Sequence, residues 1–240
     1  MIVSATPTGA GVRPNPAMRP VQDLRPDSFV EGTPLAAAGG RPWGTRPPVG
    51  ALRQGRDNGT RTAGSIIGGP LGFTAAVWGT SLLDMATGHS LAPILGITPR
   101  TAHGLVGVVG APFVHVNPDH LLNNTVGLLL AGSMVAASGP TKFRDVTLIS
   151  MLASGVGMWA TGSGLTVGAS GVAYGYIGYN MARGLFDRSP EQLALTGLST
   201  LLFLGSLSGL LPGAPGVAWQ GHLIGFAAGV AAAAVLPKDG

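Results

Sequence analysis

No cysteine occurs anywhere in the 240 residues, which removes disulfide frameworks, thiolate-bound zinc and cysteine nucleophiles from consideration. Charge is nearly as scarce. Asp, Glu, Lys and Arg make up 10% of the chain, whereas a water-soluble domain carries about a quarter. Aromatic residues reach only 6%, and they do not interleave with a dense basic helix. A nucleic-acid surface is therefore not expected, despite the net charge of +4. The first 62 positions show no apolar core after a charged start, so no cleavable leader is expected.

What the chain does have is apolar surface and arginine, kept apart. Hydrophobic residues form 45% of it. Eight of the 14 basic residues (Arg13, Arg19, Arg25, Arg41, Arg46, Arg53, Arg56 and Arg61) lie in the first 62 positions, scattered among prolines and glycines. Residues 1–62 read as a disordered Pro/Gly/Arg-rich tail, and 63–240 as a membrane domain whose low charge suits contact with lipid.

A membrane-crossing helix needs about 20 mostly apolar residues. Six stretches approach that length: 66–86, 118–137, 146–165, 167–182, 192–211 and 217–236. The segment 91–114 is apolar too, but Pro93, Pro99 and Pro112 break it, and it reads as a loop at the interface. With the tail inside, Lys142, Arg144, Arg183, Arg188 and Lys238 all face the cytoplasm, and only Arg100 lies outside. This positive-inside pattern favours six spans with both termini cytoplasmic, in the plasma membrane.

Against this apolar background a few polar side chains stand out. His120, Asn123 and Asn124 fall at the start of the second span, Ser170 at the start of the fourth and His222 near the start of the sixth. All three spans enter from outside, so these groups share one depth on three helices, as expected of residues facing a bundle interior or a water-filled cavity. The fourth span is short, about 16 residues, or about 24 Å of helix against a hydrocarbon core of about 30 Å. It therefore begins below the outer surface and leaves a depression above Ser170.

A serine between glycines in a membrane helix is most often a small residue that lets helices touch. The other polar groups argue for more. A serine hydroxyl needs an adjacent base to become a nucleophile, and His222 titrates in the useful range. No aspartate lies on the fourth or sixth span, so the unit would be a Ser–His dyad. Tyr174 shares the helix face of Ser170 and could hold the imidazole by ring packing. His120 and Asn124, four apart on one face, and the backbone N–H of Ser170 could stabilise an oxyanion. Glycine stripes Gly171, Gly175, Gly178 and Gly221, Gly225, Gly229 would let the fourth and sixth helices meet closely enough for Ser170 to reach His222. Asn117 and Pro118 read as a helix cap and first turn, and Asp84 as an interfacial residue and not a third triad member.

Three motifs, HVNPDHLLNN (115–124), GASG followed by VAYG (168–175) and GHLIGFAAG (221–229), resemble those of the rhomboid intramembrane serine proteases in order, spacing and helix placement over about residues 66–236. The resemblance implies an all-α membrane protein, a six-helix rhomboid-like bundle. It implies Ser170 as nucleophile, His222 as general base, His120 and Asn124 as oxyanion stabilisers, and His115 in a structural or water-holding role, with Gly168, Gly171 and Tyr174 in support. It also implies a protease of other proteins' transmembrane helices at the outer membrane face that uses no cofactor or metal. Two features depart from the family pattern: the first loop has Arg100 without a neighbouring tryptophan, and Ala136 stands where many members have glutamate. The competing readings are an inactive rhomboid-like protein that binds or chaperones membrane helices, and a small transporter. The first should lack the serine or histidine, and both are present. The second should show repeated halves, and none is visible. The partners expected are transmembrane substrates and the lipid bilayer; substrate identity and oligomeric state are not legible.

Overall fold

The computed structural model describes residues 49–213 and 216–237, with side chains from Gly68 onward. The tail expected over 1–62 lies outside the described residues for its first 48 positions, and from Val49 the backbone is helical. Among the described residues the architecture is helices and turns, with one isolated antiparallel bridge between Ile97 and Thr166. The six expected stretches fall on helical segments. These are α1 (Val49–Ala86), α2 (Pro118–Ala137), α3 (Pro140–Thr161), α4 (Ser170–Asp187), α5 (Pro190–Phe203, running on as a 3-10 helix Leu204–Leu210) and α6 (Trp219–Val235). Among the described residues, Pro118–Ala137 and Pro190–Leu210 are long and apolar enough to cross a membrane. The fourth helix starts at Ser170 and runs to Asp187, five residues past the expected end. Arg188 then stops it in the left-handed conformation, φ 61°.

The centre of the structure is α4, with eleven of its 18 residues buried. Glycine brings its neighbours in. A methyl group at Gly225 of α6 would land on the Gly171 carbonyl, one at Gly229 on the Gly175 carbonyl, and one at Gly178 on the Phe226 carbonyl. On the other flank, methyl groups at Gly171 and Gly175 would strike the hydroxyls of Ser154 and Ser150 on α3. Three backbones thus meet at distances open only to small residues. At Gly127–Ala131, α2 widens into a π turn, and the Ala131 carbonyl accepts a bond from Asn180 Nδ2 of α4 at 2.9 Å. Ala136 itself is fully buried.

The segment 91–114 is a string of short helical turns, Ala92–Leu95, His103–Leu105, Gly107–Gly110 and Ala111–Phe113. Arg100 pins it to the end of α3 by donating to the carbonyls of Ala160 (3.2 Å) and Gly162 (2.9 Å). At its start Asp84, fully buried, accepts from the backbone N–H groups of Leu91 (2.8 Å) and Ala92 (3.0 Å) and pairs with His89 Nδ1 at 2.8 Å. Asp84 is therefore a buried anchor for this segment.

Candidate active site

Ser170 is the first residue of α4, so its backbone N–H has no partner within the helix and points outward from the first turn. The approach to it depends on Gly168. Its φ of +122° disfavours any side chain, and a Cβ there would sit 2.6 Å from His120 Cε1. The Gly168 N–H donates to the Ala111 carbonyl at 2.8 Å, tying the turn to the interfacial segment.

His222, on the first turns of α6, lies 2.9 Å from Ser170 Oγ through Nε2 and 2.9 Å from the Gly209 carbonyl through Nδ1. A carbonyl can only accept, so Nδ1 carries the proton and Nε2 presents its lone pair to the serine hydroxyl. Tyr174 stacks on the imidazole with ring centroids 4.2 Å apart and planes 14° from parallel, and its hydroxyl donates to the Ser206 carbonyl at 2.7 Å. The imidazole is therefore held in plane and in tautomer without a carboxylate.

A second histidine, His115, closes the opposite side. It is fully buried. Its Nε2 faces two donors, the Asn124 amide at 2.8 Å and the Ala169 N–H at 3.3 Å. Nε2 must then be an acceptor, so the proton sits on Nδ1, which donates to Ser81 Oγ at 2.9 Å, and Ser81 in turn donates to the Phe113 carbonyl at 3.1 Å. The chain of bonds has one consistent direction only if His115 is neutral. Burial, then the neighbouring His120, push His115 down to about 3, which agrees with that direction.

Ser170, His222, His120, Asn123, Asn124, Tyr174, Gly168 and Gly171 line one cavity of about 810 Å³. His120 and His115 rings meet edge to face at 4.9 Å. Asn117 caps α2 by accepting from His120 N–H at 2.8 Å, which fixes the turn that presents both His120 and Asn124. Asn124 uses one amide hydrogen on His115 and has a second for the cavity. Among the described residues no cluster of three His, Cys, Asp or Glu is placed to hold a metal.

Three contributors carried no signal in the sequence. Ser81 lies 34 positions from the histidine it orients, and nothing local marks it. Ser206 and Gly209 act through backbone carbonyls, which every residue has. A motif scan records side chains and misses them.

The three motifs resemble those of one known class, and comparison with known proteins agrees on the family. The family model described as the Rhomboid domain matches residues 102–239. Uncharacterized proteins of Mycobacterium bovis and Mycobacterium tuberculosis are each 34% identical over 201 residues, covering 79% of this chain and 83% of theirs. One of Mycobacterium leprae is 31% identical over 231 residues, 91% of both chains. The chain belongs to the rhomboid family, whose members are embedded in membranes and are generally intramembrane serine proteases.

Proposed function

We propose that this chain is an intramembrane serine endopeptidase that cleaves transmembrane segments of other membrane proteins near the outer membrane face. The observation that carries this reading is the 2.9 Å contact between Ser170 Oγ and His222 Nε2, with Nδ1 turned to a carbonyl. In the proposed reaction His222 Nε2 takes the Ser170 proton as Oγ bonds to the scissile carbonyl carbon, and the carbonyl π electrons move onto its oxygen. Asn124, His120 and the Ser170 N–H stabilise that oxyanion. As the peptide C–N bond breaks, Nε2–H protonates the leaving amine. A water then repeats the sequence on the acyl-enzyme and frees Ser170.

In this reading 63–240 is the membrane domain, α1 to α6 each cross the plasma membrane, and residues 1–62 form a cytoplasmic tail with the C-terminus on the same side. The short α4 supports it: 18 residues reach about 27 Å, so a helix ending at the inner surface begins below the outer one and leaves Ser170 open to water. Substrates are transmembrane helices able to unwind into an extended scissile segment. The test is cleavage of a single-pass transmembrane substrate in proteoliposomes by wild type, Ser170→Ala and His222→Ala, with fluorophosphonate labelling of each. Cleavage and labelling by wild type alone support the proposal. A wild type that neither labels nor cuts across a panel of helices overturns it and leaves Ser170 a packing residue.

A further inference from the structure

A serine–histidine pair without a carboxylate must orient the second imidazole nitrogen by other means. Here the means is one turn of 3-10 helix. With three residues per turn, positions 206 and 209 of the segment Leu204–Leu210 stand one above the other on the same edge. The Ser206 carbonyl accepts from the Tyr174 hydroxyl at 2.7 Å, and the Gly209 carbonyl faces His222 Nδ1 at 2.9 Å. Tyr174 and His222 are themselves stacked. The four residues therefore close a circuit in which two backbone carbonyls of a single turn hold both rings. Gly209 lies in the last turn, where helical carbonyls have no partner inside the helix and can take an outside donor. Position 209 has no room for a side chain. A methyl group there would land on the Tyr174 hydroxyl and come within 3.4 Å of His222 Nδ1.

We propose that the turn Ser206–Gly209 is the positioning element of the catalytic base. The Gly209 carbonyl selects the Nδ1–H tautomer, the Tyr174–Ser206 bond fixes the ring plane, and glycine at 209 is what lets both bonds form together. Ser206, Gly209 and Tyr174 touch no reacting atom and are positioning residues. The proposal rests on the protease reading of Ser170 and His222. It adds that the function usually given to a buried carboxylate is carried by backbone at the end of α5.

The test combines kinetics with a direct view of the tautomer. Gly209→Ala should lower kcat about tenfold or more with KM within about twofold, since a small displacement of the base is costly while substrate contacts remain. Tyr174→Phe removes the hydroxyl that the new methyl strikes. The double variant Tyr174→Phe/Gly209→Ala relieves that clash but gives up the Tyr174–Ser206 bond, so its kcat should stay about tenfold or more below wild type. Independently, nitrogen-15 NMR of histidine-labelled wild type, with His222 assigned by comparison with His222→Gln, should show a protonated Nδ1 and an unprotonated Nε2. A wild-type kcat for Gly209→Ala or for the double variant, or the opposite tautomer, overturns the proposal. If wild-type protein takes no fluorophosphonate label, the protease reading fails on its own account, while the NMR result still decides whether the turn holds His222.

Discussion

The two helices that flank the cavity are built in opposite ways. On one side α4 has eleven of 18 residues buried and meets α6 and α3 along glycines and serines. On the other side α5 buries only Ser199 and Phe203, and Leu201, Leu202 and Leu204 are all half exposed or more. The difference assigns them separate tasks. Ser170 and His222 stand on two helices whose separation is fixed by backbone-to-backbone contact, so the 2.9 Å contact is a property of the seam. The carbonyls that face His222 and Tyr174 come instead from the lightly buried continuation of α5. Distance is set by the rigid side and direction by the lightly packed one.

The most damaging change should be one that opens the seam. In Gly225→Val the Cβ would fall on the Gly171 carbonyl, a backbone atom that cannot swing away. Overpacking of this kind costs about 3 kcal/mol, and the separation it forces should reduce cleavage about a hundredfold or more. Thermal unfolding in detergent and proteoliposome cleavage measure the two effects. A stable, active variant would mean that α4 and α6 can be spaced apart without loss, and the contrast with α5 would vanish.

A smaller effect is expected from Gly168→Ala at the approach to Ser170. The φ of +122° and the closeness of His120 both oppose a methyl group, and a backbone held in so sparse a region costs about 1–3 kcal/mol. Cleavage should fall together with the thermal midpoint, and unchanged values in both would show that the turn before Ser170 is less constrained than its geometry implies.

The next effect is one of pH. His115 is held near 3, below its ordinary 6.5. Between those values the unfolded chain binds a proton that the folded chain does not, so stability is fully present above about 6.5 and is lost as pH falls toward 3. The slope from this one group is at most about 1.4 kcal/mol per pH unit. Thermal midpoints of wild type and His115→Gln, followed from pH 7 to 4, should diverge in that direction: wild type loses stability on acidification and the variant has a flatter limb. Parallel curves would show that His115 is not the buried neutral group its four-member bond chain requires.

Much of this arrangement was legible in the sequence because side chains and spacing carried it. The glycine stripes, Asn117 as cap, the Tyr174 stack and the Ser170–His222 approach all follow from helical period once the segments are placed. What escaped depended on groups with no distinctive residue type or on distant partners. Ser81 looks like any serine on an apolar helix until Phe113 and His115 fold against it. The Gly209 carbonyl is invisible to residue type. Asp84 read as an interfacial residue near a span terminus, and its burial within the protein was not legible. Its burial became possible only when the chain turned back to offer the N–H groups of Leu91 and Ala92, a turn that composition alone does not specify.

The least effect should come from the exposed face of α5, and its smallness is informative. Leu201 is 79% exposed, so Leu201→Ala removes little packing among the described residues. Substitutions at such positions change stability by no more than about 0.5 kcal/mol. With Ser206 and Gly209 a turn or more away and unaltered, cleavage should stay within about twofold of wild type by the same reasoning. The thermal midpoint in detergent and the cleavage rate in proteoliposomes should therefore both match wild type. A large fall in rate at constant stability would break the comparison in a specific way. It would mean that the outer face of α5 is engaged during turnover, and that the lightly packed side of the site is held by contacts from outside the chain.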